Sequence, residues 1–397
     1  MDEIIEQLPI LFDFTVIEII LLSVLILVLI IQIIYYFVFY RKPFTYAKHQ
    51  KEEYNIDDPL FNFTDYPKVS IIVESENEVE NLTELLPILL NQDYPDYEVI
   101  VVNNGSTDET DMLLEGLKKD HPNLYKTYLS HSGDRGFEFR KLALTLGVKA
   151  AKGDIVLFTE AYCRPISDQW VRSMVTPILT EEDKDIVLGH SYYREKNSLL
   201  DRIISFDNLL FGLQYLSSAI KGKPYTGIFR NLAFKKELFY ENKGFASHLY
   251  LDNSEEAFVN KVATSDNTTV CVQQNGFVKA EYGYYSRWRK IKKSYSIARS
   301  CFKGGMANLF SIELFSRYLF YGLFIGLFAY SLVNESWGML GAVSLIFVVR
   351  SIFQQVILNK SGRYFKTGEF YLLLPLLDIL QPIYNTIFKS RPQNIIR

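Results

Sequence analysis

Long apolar tracts flank a central region whose hydrophobic positions keep a different rhythm. Ile19 to Tyr40 is a 22-residue run without a formal charge. That exceeds the ~20 residues needed to cross a bilayer core. A second apolar block begins near Leu314. Phe315–Val333 and Trp337–Leu358 each have the length of a span, with Asn334, Glu335 and Ser336 as the turn between them. Phe370–Phe388 is also apolar but carries Pro375, Asp378 and Pro382.

Flanking charge orients these segments. Asp2, Glu3, Glu6 and Asp13 precede the first tract, and Arg41, Lys42, Lys48 and Lys51 follow it. The positive-inside rule puts the N-terminus outside and everything after Arg41 inside. The acidic lead and the length argue against a cleaved signal peptide. The second block is basic on both sides, from Arg287 to Lys303 and again at Lys360, Arg363 and Lys366. It reads as a helical hairpin entering and leaving from the cytoplasm. Basic residues on both sides of 370–388 suggest an interfacial or re-entrant helix, with a kinked full span as the alternative. Arg350 lies inside the second hairpin helix, where it either holds a lipid phosphate or snorkels to the interface.

Between the tracts, residues 68 to about 300 are soluble in character. Lys68–Val73, Tyr97–Val102 and Asp154–Thr159 are short β-branched runs, as buried strands require. Helical spacing follows at 78–90, 107–119 and 136–151. Strands alternating with helices predict a parallel sheet covered by helices. Ligands then bind at the carboxyl ends of the strands, so the loops after Val73, Val102 and Phe158 matter most.

The domain layout expected is a short extracytoplasmic terminus (1–15), a transmembrane helix (16–40) and a linker (41–66). An α/β domain (67–285), a basic interfacial segment (286–313), the hairpin (314–358) and the last membrane or re-entrant helix (370–388) follow. The chain has 397 residues and a net charge of −4, which argues against nucleic acid as a partner. Cys163, Cys271 and Cys301 form no disulfide or zinc pattern, and the five histidines are scattered.

The central loops carry a family resemblance. Val69-Ser-Ile-Ile-Val-Glu-Ser-Glu-Asn77-Glu78 is similar to the opening strand and Asn-Glu turn of family 2 glycosyltransferases. Gln92-Asp-Tyr-Pro95 through Glu98-Val99, with Val102-Asn103-Asn104-Gly105-Ser106-Thr107-Asp108, resembles their "QDYP…EVIVVDDGSTD" block. Lys141-Leu-Ala-Leu-Thr-Leu-Gly147 resembles their Lys-x-x-Ala-Leu helix. Glu160-Ala161-Tyr162 falls where that family has Asp-x-Asp. Gly244 to Asn260 resembles its base-bearing region, as in envelope enzymes of the Bacteroidetes type. Tyr284-Tyr-Ser-Arg287-Trp288 keeps half of its Gln/Arg-x-x-Arg-Trp motif.

The resemblance implies an α/β GT-A (Rossmann-like) nucleotide-sugar domain with an N-terminal transmembrane helix and C-terminal membrane helices. It implies inverting transfer from a nucleoside-diphosphate sugar to a lipid-linked or glycan acceptor, in an inner-membrane protein with a cytoplasmic catalytic domain. Glu78, Asn103, Asn104, Asp108 and Lys141 would bind nucleotide. Glu255 or Glu256 would be the general base, with Asp252 a third candidate. Arg164, Arg287 and Trp288 would meet phosphate or acceptor. Mg²⁺ or Mn²⁺ would rest on Glu160, although Tyr162 is a poor hard-ion ligand; Arg140, Lys141 and Arg164 offer cationic compensation. Glu160 and Tyr162 for the two metal aspartates, Asn for Asp at 103–104 and the broken Arg-Trp motif support a second reading. In it the fold is a catalytically impaired binding module with a membrane-protein partner. Ser254 and the neighbouring acids would also serve as a plain helix cap.

Overall fold

The computed structural model describes residues 14–53, 66–130, 139–193, 198–249, 255–281 and 285–389. Asp252 and Ser254, and most of the expected extracytoplasmic terminus, lie outside them.

Three β-branched runs become β1 (Val69–Ser75), β2 (Tyr97–Asn103) and β4 (Ile155–Glu160), with β3 (Leu124–Tyr128) at the edge. Their order is β3-β2-β1-β4, and all three pairings are parallel. The helices Val79–Leu90, Thr110–Asp120 and Phe139–Ala150 make the crossovers. The last of these packs closely: a Cβ on Gly147 would come within 2.6 Å of Ile72 Cγ2.

Beyond β4 the expected all-parallel sheet gives way to a mixed one. β8 (Leu232–Lys235) runs antiparallel to both β4 and β6 (Ile186–Gly189), and β9 (Thr268–Cys271) is parallel to β6. Helices still separate these strands, Trp170–Thr180 before β6 and Leu199–Ile220 before β8, so the alternation along the chain does not reveal the change of direction. A small second sheet places β10 (Val278–Ala280) between β5 (Cys163–Pro165) and β7 (Ser191–Tyr193).

Among the described residues, three helices are long and apolar enough to cross a membrane. They are Val16–Glu52 including a π-turn at Tyr36–Tyr40, Met306–Val333 and Trp337–Tyr364. The hairpin turns at Asn334–Ser336, with Glu335 at a φ of 53°. Their outward faces expose Ile26, Leu27, Ile30, Phe315, Leu345 and Ile352, a surface that hydrocarbon tolerates and water does not. Leu374–Ile387 has 14 residues. At 1.5 Å per residue it is about 21 Å long, short of the ~30 Å hydrocarbon core.

Arg350 neither snorkels nor waits for a lipid. It is fully buried, its Nη2 2.5 Å from Asp378 Oδ2 and its Nη1 2.9 Å from the Tyr321 hydroxyl. Its Nε donates to Gln32. The expected linker begins as a helix, Lys42–Glu53. There Gln50 donates to Val270 O at 2.7 Å and accepts from Val272 N at 2.9 Å, tying it to the α/β domain.

Candidate active site

The site grows from the carboxyl edge of the parallel strands. In register, Glu74 of β1 stands beside Glu160 of β4 and beside Val102 of β2. Register partners on neighbouring strands project to the same face, so the two carboxylates arrive together. Arg140, on the first turn of the Phe139–Ala150 helix, bridges them. Its Nη1 is 2.8 Å from Glu74 and its Nη2 3.1 Å from Glu160. Its Nε is 2.8 Å from Glu255 Oε1, an ion-pair contact off the hydrogen-bond direction. One guanidinium thus joins three carboxylates from three parts of the chain.

Burial, the largest influence on Glu160, pushes its carboxyl up, but the charges of Arg140, Arg230 and Arg287 outweigh it and hold it below the ordinary range. Glu74 goes the other way, because burial wins over Arg140. Glu256, at the start of the helix Glu256–Val262, is pushed well above the carboxylate range by burial and by Glu255 beside it. Its Oε2 is buried with no hydrogen-bond partner among the described residues.

Tyr162 stands at the second position of the Asp-x-Asp block. Burial and Glu160 keep its phenol neutral. Its ring lies 4.4 Å beneath the Arg287 guanidinium, which also pairs with Glu78. Arg287 and Glu78 are 209 residues apart in sequence, yet the fold joins them. Trp288 is buried, with Tyr384 and Phe388 rings 5.7 and 5.2 Å away; it docks the basic helix Tyr285–Ser300 onto the terminal helix.

These groups line a cavity of about 1440 Å³, larger than the ~300–1,000 Å³ of a usual small-ligand site. Glu78, Asn104, Glu160, Glu255, Glu256 and Arg287 all reach it, as does Trp288. The cavity continues past the basic helix to Phe310, Ser311 and Leu314 of the first hairpin helix and to Gln381 and Asn385 of the terminal one.

Other expected residues do not line it. Asn103 accepts from Ser106 N at 3.0 Å, and Asp108 accepts from Val79 N and Thr110 N at 3.0 and 3.1 Å. Both shape the turn, in which Gly105 adopts a φ of 67°. Lys141 is buried in its helix away from the cavity lining. Arg164 is buried as a clamp, bonding the Ala161 and Cys163 carbonyls at 2.8 Å and Glu84 at 3.1 Å. Sequence reading missed Glu74 and Arg230. Arg230 is buried on the cavity wall, donates to the Tyr193 hydroxyl and lies 5.1 Å over that ring. It sits in an irregular segment before β8, where no periodicity points to it.

A divalent ion finds a poor donor set here. Among the described residues no three of His, Cys, Asp and Glu are spaced to hold one. The Glu160 carboxylate is taken by Arg140, and its expected companion is a neutral phenol under a guanidinium.

Residues 70–242 match the family model described as Glycosyl transferase family 2. The chain is 28% identical over 170 residues to the poly-beta-1,6-N-acetyl-D-glucosamine synthase of Staphylococcus epidermidis, covering 43% of this chain and 37% of that one. It is 24% identical over 190 residues to the GalNAc(5)-diNAcBac-PP-undecaprenol beta-1,3-glucosyltransferase of Campylobacter jejuni, 46% of this chain and 56% of that one. The matched segment is thus under two thirds of either relative. In fold, the chain resembles a mannosyltransferase from Pyrobaculum calidifontis solved in complex with GDP-mannose and Mn²⁺. The TM-score is 0.56, with 18% identity and coverage of 92% and 98%. The parallel strands, the carboxylates at their ends and these matches agree: over residues 70–242 the chain carries a family 2 glycosyltransferase domain with the GT-A fold.

Proposed function

We propose that the chain is a membrane-bound inverting glycosyltransferase. It takes a sugar from a nucleoside-diphosphate donor and passes it to a lipid-linked or glycan acceptor at the cytoplasmic face of the inner membrane. One observation carries this reading. A single cavity joins the carboxylates at the ends of β1 and β4 to the helices that are apolar enough to span a bilayer. A donor entering over the strand ends and an acceptor arriving along the hairpin would meet in it, which converts a bimolecular encounter into a positioned one. The names of the relatives support the same chemistry, since one contains an undecaprenyl diphosphate. The basic flanks of the apolar tracts support the orientation.

Glu256 is the better base of the acidic pair. Glu255 is engaged by Arg140, whereas Glu256, a residue of the cavity lining, has a buried oxygen without a hydrogen-bond partner and a raised proton affinity. A base needs an affinity near the working pH. The acceptor hydroxyl oxygen attacks the anomeric carbon, and its proton passes to Glu256. The bond from that carbon to the diphosphate breaks, with its electron pair leaving on the nucleoside diphosphate. Arg230 and Arg287 face the charge that develops, in a site where fixed charges act strongly. Glu78 and Asn104 line the donor end.

The test is release of UDP, GDP or dTDP from their common sugar conjugates by detergent-purified protein supplied with a membrane lipid extract. One donor turned over in a lipid-dependent manner supports the proposal. Nucleotide binding without any transfer would favour the binding-module reading, and absence of both would reject a donor site altogether.

A further inference from the structure

We propose that Arg140 is the resident cation of this site, taking up the carboxylates that a divalent ion would need, so that donor binding and transfer proceed without Mg²⁺ or Mn²⁺. The inference rests on the glycosyl transfer proposed above but concerns a separate property, the source of positive charge.

The geometry is specific. A divalent ion of this kind draws six or more oxygen ligands at ~2.0–2.6 Å. The oxygens available, on Glu74, Glu160 and Glu255, already lie 2.8 to 3.1 Å from the three nitrogens of Arg140. Ion and guanidinium cannot share that space. A guanidinium suits it, being planar, permanently charged and able to bond several carboxylates at once. Tyr162 removes the second carboxylate an ion would need and uses its ring to seat Arg287. Arg230 is fixed in the same wall by Tyr193 and Asn208.

The division of labour follows. Arg140 offsets the carboxylates, which would otherwise repel a diphosphate, and thereby positions Glu255 beside Glu256. Arg230 and Arg287 are left to meet the leaving group. Arg140 is a positioning residue in this scheme, and its signature is a slower rate that added metal does not repair and that lysine, keeping the charge, repairs in part.

The experiment pairs turnover with direct ion counting. Nucleotide release by the wild-type protein is measured in EDTA and in Mn²⁺, and bound Mn²⁺ is counted by electron paramagnetic resonance with and without nucleotide. The expected result is turnover that differs by no more than about twofold between the two conditions, where removing an ion that serves as Lewis acid would lower it by orders of magnitude. No stoichiometric Mn²⁺ should bind. In Arg140→Ala the three carboxylates are freed. Turnover in EDTA should fall by roughly 10²-fold, the usual effect of losing one preorganised charge, and added Mn²⁺ should not restore it, because the described carboxylates are not spaced to close on an ion. Arg140→Lys keeps the charge without the fork and should stay metal-free with intermediate turnover; it serves if the alanine variant fails to melt cooperatively. Stoichiometric Mn²⁺ on the wild-type protein, abolished by Glu160→Gln, would overturn the proposal. Because ion counting needs no turnover, an inactive but metal-free protein would reject the enzyme reading and leave the cation assignment supported.

Discussion

Around Arg350, among the helices of the apolar bundle, each guanidinium nitrogen has a partner: Gln32, Tyr321 and Asp378. Asp378 in turn binds Arg317 at 3.1 Å, and Arg317 binds Glu313 at 2.9 Å. Around Arg140, at the sheet edge, Glu74 and Glu160 are bonded, but the neighbouring acidic pair is not saturated. Glu255 meets Arg140 off-axis, and Glu256, which lines the cavity, keeps a buried oxygen without a partner. Both clusters contain arginines and carboxylates in surroundings where charge is costly. The first pins the terminal helix to the hairpin and to the N-terminal helix. The second leaves proton-accepting capacity beside a cavity of about 1440 Å³. The difference lies in whether the acids are saturated, a more useful guide to chemistry than the number of charges buried.

The largest effect that sharpens this contrast is expected for Glu256→Gln. Loss of a positioned base should lower turnover by roughly 10²–10⁴-fold, while the melting midpoint stays or rises because no charge must then be buried. A variant with unchanged turnover would move the base to Glu255 or to Asp252. The pH dependence follows in sign. The Glu256 carboxyl is raised by burial and by Glu255, so turnover should climb along a limb above the ordinary carboxylate range. The same group contributes folding stability that is present below its unfolded value and lost as pH rises through the folded one. Activity and this contribution should therefore run in opposite directions, and the glutamine variant should flatten both.

Next in size is Asp378→Ala. It removes a partner from two buried arginines at once, and breaking a buried pair costs about 3–5 kcal/mol. Thermal unfolding in detergent should show a large drop, and adding Arg350→Met should recover part of it. A variant that melts like the wild type would mean that water reaches the bundle and that the two clusters are alike after all. The smallest change is expected for Tyr162→Leu. Losing the ring beneath Arg287 removes about 0.5–2 kcal/mol of cation–π attraction. The expected readout is a several-fold rise in KM for the donor with little change in melting.

Much of this contrast was visible before any coordinates. Glu255, Glu256 and Glu160 were picked out because each stands in a recognisable local block, and the basic flanks marked where the apolar helices begin and end. Glu74 was passed over because its role comes from strand register, which brings it beside Glu160 across 86 positions of sequence (160 − 74). Arg230 was missed for a related reason: it lies in an aperiodic segment, and only tertiary packing aims it at the cavity. Arg164 and Lys141 stand apart from the described cavity lining. Their charge suggested phosphate, but local geometry turns one onto the carbonyls of its own loop and buries the other inside a helix.

The sequence by itself determined the repeating parts: the β-branched runs of the parallel strands, the Asn-Asn-Gly turn, the three apolar helices and the acidic pair at residues 255–256. These follow from periodicity, turn chemistry and hydropathy, which act over a few residues at a time. Tertiary structure decided the rest. It reversed β8 within the sheet beyond β4, closed Arg350 into a network, coupled Glu78 to Arg287 and placed Arg140 among three acids. Each of these depends on which distant segments share a space, and in surroundings of low dielectric that sharing sets what a charged side chain can do.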